Sequence, residues 1–157
     1  MQRLYSVALL SIASLAAGTA FAQTTADAKS ALKVIVGNAK SKGAAKAAEE
    51  LTSGADLSKC KESPALSCYI VSADGTMIGN AKNAKLVGTK FPSDMTDVDG
   101  TPIVDQVVAP LNKGKTTWEA QYKFAIPGTK KIVPLHAFCE KLDARSAACA
   151  VAQIAQD

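Results

Sequence analysis

From Thr25 to Leu51 the apolar residues Leu32, Ile35, Val36, Ala39, Ala47, Ala48 and Leu51 recur at steps of three and four. That spacing gathers them on one stripe of an α-helix. Lys33, Lys40, Lys46, Glu49 and Glu50 occupy the rest of the surface, so residues 25–51 read as a long amphipathic helix. Gly37 and Gly43 interrupt the pattern. Each costs about 1 kcal/mol relative to Ala in a helix interior, and each marks a place where the helix can bend or break. Ser53-Gly54 closes the segment, and a loop carrying Cys60 and Pro64 follows.

After Leu66 the character of the chain changes. Leu66 to Ala73 has the β-branched and aromatic content of a strand, Asp74-Gly75 is a tight-turn dipeptide, and Thr76 to Gly79 returns as a second strand. Residues 80–100 are turn-rich, with Gly88, Pro92, Asp94, Asp97, Asp99 and Gly100. Thr101-Pro102 then opens a helix, with Thr as its cap and Pro at the first helical position. Ile103, Val104, Val107, Val108 and Leu111 form its apolar stripe, Pro110 kinks or ends it, and Gly114 is a stop signal. From Thr116 to Phe124 the alternation is clean: Trp118, Ala120, Tyr122 and Phe124 share one face, and Thr117, Glu119, Gln121 and Lys123 the other. This is the pattern of a half-buried antiparallel strand. Pro127-Gly128 is a turn, and Lys131–Glu140 with Ala147–Ile154 makes a last hairpin. Strands joined by short turns, preceded by a helix, predict an α+β domain with an antiparallel sheet over 66–154.

The N-terminus adds an address. Arg3 is the only charge before Asp27, Leu4 to Ala17 is apolar, and Ala20-Phe21-Ala22 places small residues where a signal peptidase requires them. The pattern predicts a cleaved secretory leader over 1–22 and a mature single domain over 23–157, soluble in a periplasm-type compartment. The apolar run is shorter than the about 20 residues that a membrane-spanning helix needs. No Cys follows the cleavage point, so lipid attachment there is excluded. The formal charge of +4 becomes +3 once Arg3 is removed, and it is spread over scattered lysines. With export, this argues against nucleic acid as a partner.

Export also changes the meaning of the four cysteines, Cys60, Cys68, Cys139 and Cys149. An even number in an oxidising compartment reads as two disulfides, with three possible pairings. Cys60–Cys68 and Cys139–Cys149 are favoured, because Cys139 and Cys149 lie symmetrically about Ala144 in the last hairpin. One histidine and no C-x-x-C speak against a metal or a covalent haem, and no cofactor is expected. Aligning Gly100 with the invariant Gly of an EF-hand puts Met95 and Gln106 at the first and last ligand positions, which is wrong for calcium. G-x-S-x-G, H-E-x-x-H and phosphate-cradling glycine loops are absent, so the chain does not read as an enzyme.

The stretch from Cys68 to Ile154 resembles a single Cache domain, the extracytoplasmic sensor module with a PAS-like sheet. The resemblance is carried by Tyr69-Ile70-Val71-Ser72-Ala73-Asp74-Gly75-Thr76-Met77-Ile78 and Leu86-Val87-Gly88. It continues through Asp99-Gly100-Thr101-Pro102-Ile103-Val104, Gly114 with Trp118 and Tyr122, and Lys131-Ile132-Val133-Pro134. It implies a long N-terminal helix packed on a five-stranded antiparallel sheet that cups a small ligand, often a small organic acid. The chain departs from the family pattern at several positions. Asn80 stands where His is frequent, Leu135 where Lys is, and Phe138 lacks a hydroxyl. Ala147 replaces an aromatic, and Ile154 a terminal Tyr.

Trp118 and Tyr122 share a strand face and can line a pocket, one stacking on a ligand and one donating its hydroxyl. The expected disulfide register sets His136 opposite Ala152 and Phe138 opposite Ala150, leaving room beside His136. Lys131 can reach a carboxylate as a point charge, and Asn80 completes the candidate set. The sequence thus predicts a ligand-binding sensory or accessory subunit that takes a small molecule, in particular a carboxylate. A membrane receptor or kinase is its expected partner, and the N-terminal helix is a candidate homodimer surface. The alternative is a structural or interaction module that kept the fold and fills the pocket with its own side chains.

Overall fold

The computed structural model describes residues 16–54, 58–125 and 131–154, of which 16–23 and Ser58 are described by their backbone alone. The helical stripe forms, but as two helices rather than one: α1 (Ala16–Lys42) and α2 (Ala44–Ser53). The break falls at Gly43, whose φ of 86° is open to glycine and strained for any residue with a β-carbon. Gly37 passes inside α1 without interrupting it. Of the predicted leader, residues 1–15 lie outside the described residues, and 16–22 are helical and continuous with α1. No described helix is long and apolar enough to cross a membrane.

A short helix α3 (Ser58–Glu62) leads into β1 (Leu66–Ser72) and β2 (Met77–Asn80). Two one-turn helices follow, α4 (Ile103–Val107) and α5 (Ala109–Asn112). The capping position falls on Pro102 instead of Thr101, and Pro110 sits in the first turn of α5, where its missing N–H has no helical acceptor to lose. Then come β3 (Thr117–Ala125), β4 (Ile132–Lys141) and β5 (Ser146–Gln153). The five strands form one sheet in the order β2-β1-β5-β4-β3, antiparallel throughout.

The central strands of the sheet are buried on both sides, and side-chain parity assigns each residue to a face. On one face Leu66, Cys68, Ile70, Phe138, Ala148, Ala150 and Ala152 pack against Ala28, Leu32, Ile35, Val36, Ala47, Ala48 and Leu51 of α1 and α2. On the other, Tyr69, Val71, Trp118, Ala120, Ala137, Cys139, Cys149 and Val151 meet Ile103, Val107, Val108 and Leu111. The central strand β5 carries Ala147, Ala148, Ala150 and Ala152, each completely buried. Ala148, Ala150 and Ala152 face α1, and their small side chains let it lie close to the sheet, while Ala147 turns to the other face. The approach of α2 to β2 is closer still: a β-carbon on Gly79 would stand 2.9 Å from both Cα and the carbonyl oxygen of Ala48. Both expected disulfides are present, one tying α3 to β1 (Cys60–Cys68) and one joining β4 to β5 (Cys139–Cys149).

Candidate functional site

The register of the sheet decides which candidate residues can meet. Asn80 pairs with Tyr69, Tyr69 with Cys149, Cys149 with Cys139, and Cys139 with Trp118. This row crosses all five strands, so Asn80, Tyr69 and Trp118 share the face toward α4 and α5. Tyr122 joins them by the alternation of β3. His136 pairs with Gln121 and Ala152, and Phe138 with Glu119 and Ala150, as the disulfide register predicts for the β4–β5 side. Both therefore point to the opposite face, toward α1. The expectation that Trp118, Tyr122 and His136 lie near one pocket is corrected: a whole sheet separates His136 and Phe138 from Trp118 and Tyr122.

On the α4–α5 face the aromatic residues define the site. Trp118 is buried, and its indole Nε1 finds no hydrogen-bond acceptor among the described residues. The phenols of Tyr69 and Tyr122 lie close enough to influence each other. Burial pushes the Tyr122 phenol up to about 12. Burial, with Tyr122 beside it, raises Tyr69 well above its usual value. Phe91 packs edge-on against Tyr69, with ring centroids 5.8 Å apart. Between the two tyrosines lies a cavity of 150 Å³ walled by Ser67, Leu135, Val151 and Gln153. A second, of 260 Å³, adjoins it through Tyr122 and Leu135 and is bordered by Asp97, Asp99 and Lys123. Lys123 pairs with Asp99 at 3.3 Å.

Asn80 is spent on structure. Its side-chain oxygen accepts from the backbone N–H of Lys82 and of Asn83 at 3.0 and 2.9 Å, which holds the turn after β2. Lys131 is exposed just before β4, next to residues 126–130, which lie outside the described set. It stands four residues from Leu135, the partner of Tyr122, or about 13 Å along the strand.

On the α1 face a second group assembles. The His136 and Phe138 rings lie 4.1 Å apart. His136 Nε2 is 2.8 Å from Glu119 Oε2, and the other oxygen of Glu119 is 3.5 Å from Lys29 Nζ. The same Lys29 ammonium sits 4.6 Å from the centroid of the Phe138 ring. Tyr69 and Glu119 join the groups that the sequence pattern singles out. Tyr69 sits in a continuous apolar run that shows no alternation, whereas Glu119 stands out as the polar neighbour of Trp118 along β3.

No protein family model matches the sequence, and no curated protein matches it. Solved structures do match. A Cache chemosensory domain studied for carboxylic acid recognition is 20% identical, with a TM-score of 0.53 over 86% of this chain and 92% of that one. A periplasmic sensor domain of a chemotaxis protein is 15% identical, with a TM-score of 0.56 over 85% and 95%. A methyl-accepting chemotaxis protein from Vibrio parahaemolyticus is 14% identical, with a TM-score of 0.50 over 85% and 86%. The architecture is thus α+β, with helices on a five-stranded antiparallel sheet, as in these three structures. More particularly, the fold is that of a single Cache domain.

Proposed function

We propose that the chain is an extracytoplasmic sensory module that binds a small organic acid on the Trp118–Tyr122 face. It would present the bound state to a membrane receptor or kinase. The observation that carries this reading is the buried Trp118 Nε1 without an acceptor among the described residues. A buried donor left unpaired costs about 1–3 kcal/mol, so its partner is sought in a ligand. The phenols of buried Tyr69 and half-buried Tyr122 supply polar groups on a largely apolar face, the composition expected of a small-molecule pocket. The cavity beside them, 150 Å³, is worth about five waters of liquid volume, which suits an acid of a few carbons. The carboxylic-acid-recognising structural neighbour supports the same class of ligand. The predicted export leader and the two disulfides support a location outside the cytoplasm.

Trp118 is the only tryptophan and its side chain packs on this face, so its emission is read together with the melting temperature. Titration of the mature chain with two- to four-carbon mono- and dicarboxylates should change that emission saturably for at least one acid. Tyr122→Phe should weaken the binding at least fivefold. If no acid alters the emission or raises the melting temperature, the sensory reading fails. The alternative of a structural module would then gain, and one observation already favours it: Ile103, Val107, Val108 and Leu111 are each at most 3% exposed, packed onto this face.

A further inference from the structure

The alternation of β3 leaves Thr117, Glu119, Gln121 and Lys123 exposed on the α1 side of the sheet. The reason lies in the helix placement, since α1 packs over β5 and β4 and leaves β3 at the uncovered edge. A groove of 450 Å³ opens there, within the about 300–1,000 Å³ usual for small-ligand sites. Its apolar lining is Leu32, Trp118, Phe138 and Cys139, all buried, and Trp118 and Cys139 reach it from strand positions whose side chains turn to the other face. Its two sides carry opposite charge. The α1 side presents Lys29 and Lys33, four residues apart and hence neighbours on the helix surface. The sheet side presents Glu119 and Glu140 on adjacent strands.

The pairing within the groove is uneven. Glu119 is shared by His136 at 2.8 Å and Lys29 at 3.5 Å, and Glu140 is 3.5 Å from Lys40. Lys33 makes no ion pair or hydrogen bond among the described residues. A simple anion would meet Lys33 but bring its charge near two carboxylates. A simple cation would meet Glu140 but face three lysines. A ligand with both charges can set its carboxylate toward Lys33 and its ammonium toward Glu140, and lay an apolar arm on Leu32 and Phe138.

We propose that this groove is a second binding site, selective for a small zwitterion bearing an apolar arm. Its charged residues lie on the opposite face of the sheet from the Tyr69–Tyr122 cavity, and it does not depend on that cavity's ligand. The test is an amide-resolved NMR titration of the mature chain with three matched probes: L-leucine, 4-methylpentanoate, which lacks the ammonium, and 3-methylbutylamine, which lacks the carboxylate. Leucine should shift the amides of residues 29–33 and 117–119 and leave those of Tyr69 and Tyr122 in place. Both analogues should bind at least tenfold more weakly. Lys33→Met, at an exposed position, should keep the melting temperature and lower leucine affinity at least fivefold. The proposal is overturned if leucine leaves the α1 amides unmoved or shifts only the Tyr69–Tyr122 face. It is equally overturned if either analogue matches leucine, or if Lys33→Met binds leucine like the parent chain.

Discussion

The same substitution at two glycines should change stability in opposite directions. A β-carbon on Gly79 would meet Cα and O of Ala48 at 2.9 Å and its Cβ at 3.0 Å. Backbone atoms cannot rotate away, so Gly79→Ala forces α2 off β2. Overpacking of this kind costs about 1–3 kcal/mol. For a domain of this size each kcal/mol moves the melting temperature by about 3–5 °C, so a loss near 2 kcal/mol lowers it by about 6–10 °C. At Gly37 nothing lies within 4 Å of the added carbon, and the residue is exposed inside α1. There Gly37→Ala should gain about 0.8–1 kcal/mol from helix propensity, and raise the melting temperature by about 3–4 °C. Ala48→Gly removes only the 3.0 Å contact and adds a helical glycine, so Gly79→Ala/Ala48→Gly should stay below the parent. Thermal denaturation followed by circular dichroism reads all four proteins. Equal signs for Gly37→Ala and Gly79→Ala, or a Gly79→Ala shift under 1 °C, would refute the close approach of α2 to β2.

Other outcomes follow from the tyrosines, an aspartate and a disulfide. Tyr69 and Tyr122 have raised folded-state pKa values, so the unfolded chain releases these protons first. Stability should hold up to pH 10 and then fall with rising pH as Tyr122 titrates toward about 12; Tyr122→Phe in denaturant melts should flatten that fall. Asp74 is held well below the usual carboxylate range, first by the Ser72 hydroxyl, then by Lys90 and Thr76. Its contribution is therefore present above its unfolded pKa near about 4 and fades as pH drops below it, so the stability difference between parent and Asp74→Ala should shrink there. Cys60→Ser/Cys68→Ser opens a link spanning 8 residues. By loop-closure entropy this should cost about 2.5 kcal/mol, read as a lowered urea midpoint, and an unchanged midpoint would show that the link adds no stability.

Much of the fold is written in periodicities that each residue repeats for its neighbours. The three- and four-residue spacing from Leu32 to Leu51 yields a buried stripe, although Gly43 rather than Gly37 carries the break. Sequence alone cannot rank the two, because either glycine can adopt the positive φ at which the break occurs. The β3 alternation, the Pro110 interruption and the hairpin register about Ala144 emerge as read. The register was legible because two cysteines fix it: once Cys139 faces Cys149, Phe138 must face Ala150 and His136 must face Ala152.

The candidate site was legible only strand by strand. A disulfide pins β4 to β5, and nothing comparable pins β4 to β3, since the turn around Pro127-Gly128 can close in more than one register. A shift of one residue would put His136 opposite Tyr122 and on its side of the sheet. The observed pairing of His136 with Gln121 puts them on opposite sides. One step of parity thus splits the candidates into an aromatic group under α4–α5 and an ionic group beside α1. Adjacent residues of β4 serve the two groups: Leu135 walls the tyrosine cavity, while His136 holds Glu119 on the far face. Variants at Leu135 and at His136 should therefore separate carboxylate binding from zwitterion binding, although the two side chains are joined by a single peptide bond. If His136→Ala weakens carboxylate binding as strongly as Leu135→Ala does, the two-faced assignment is wrong.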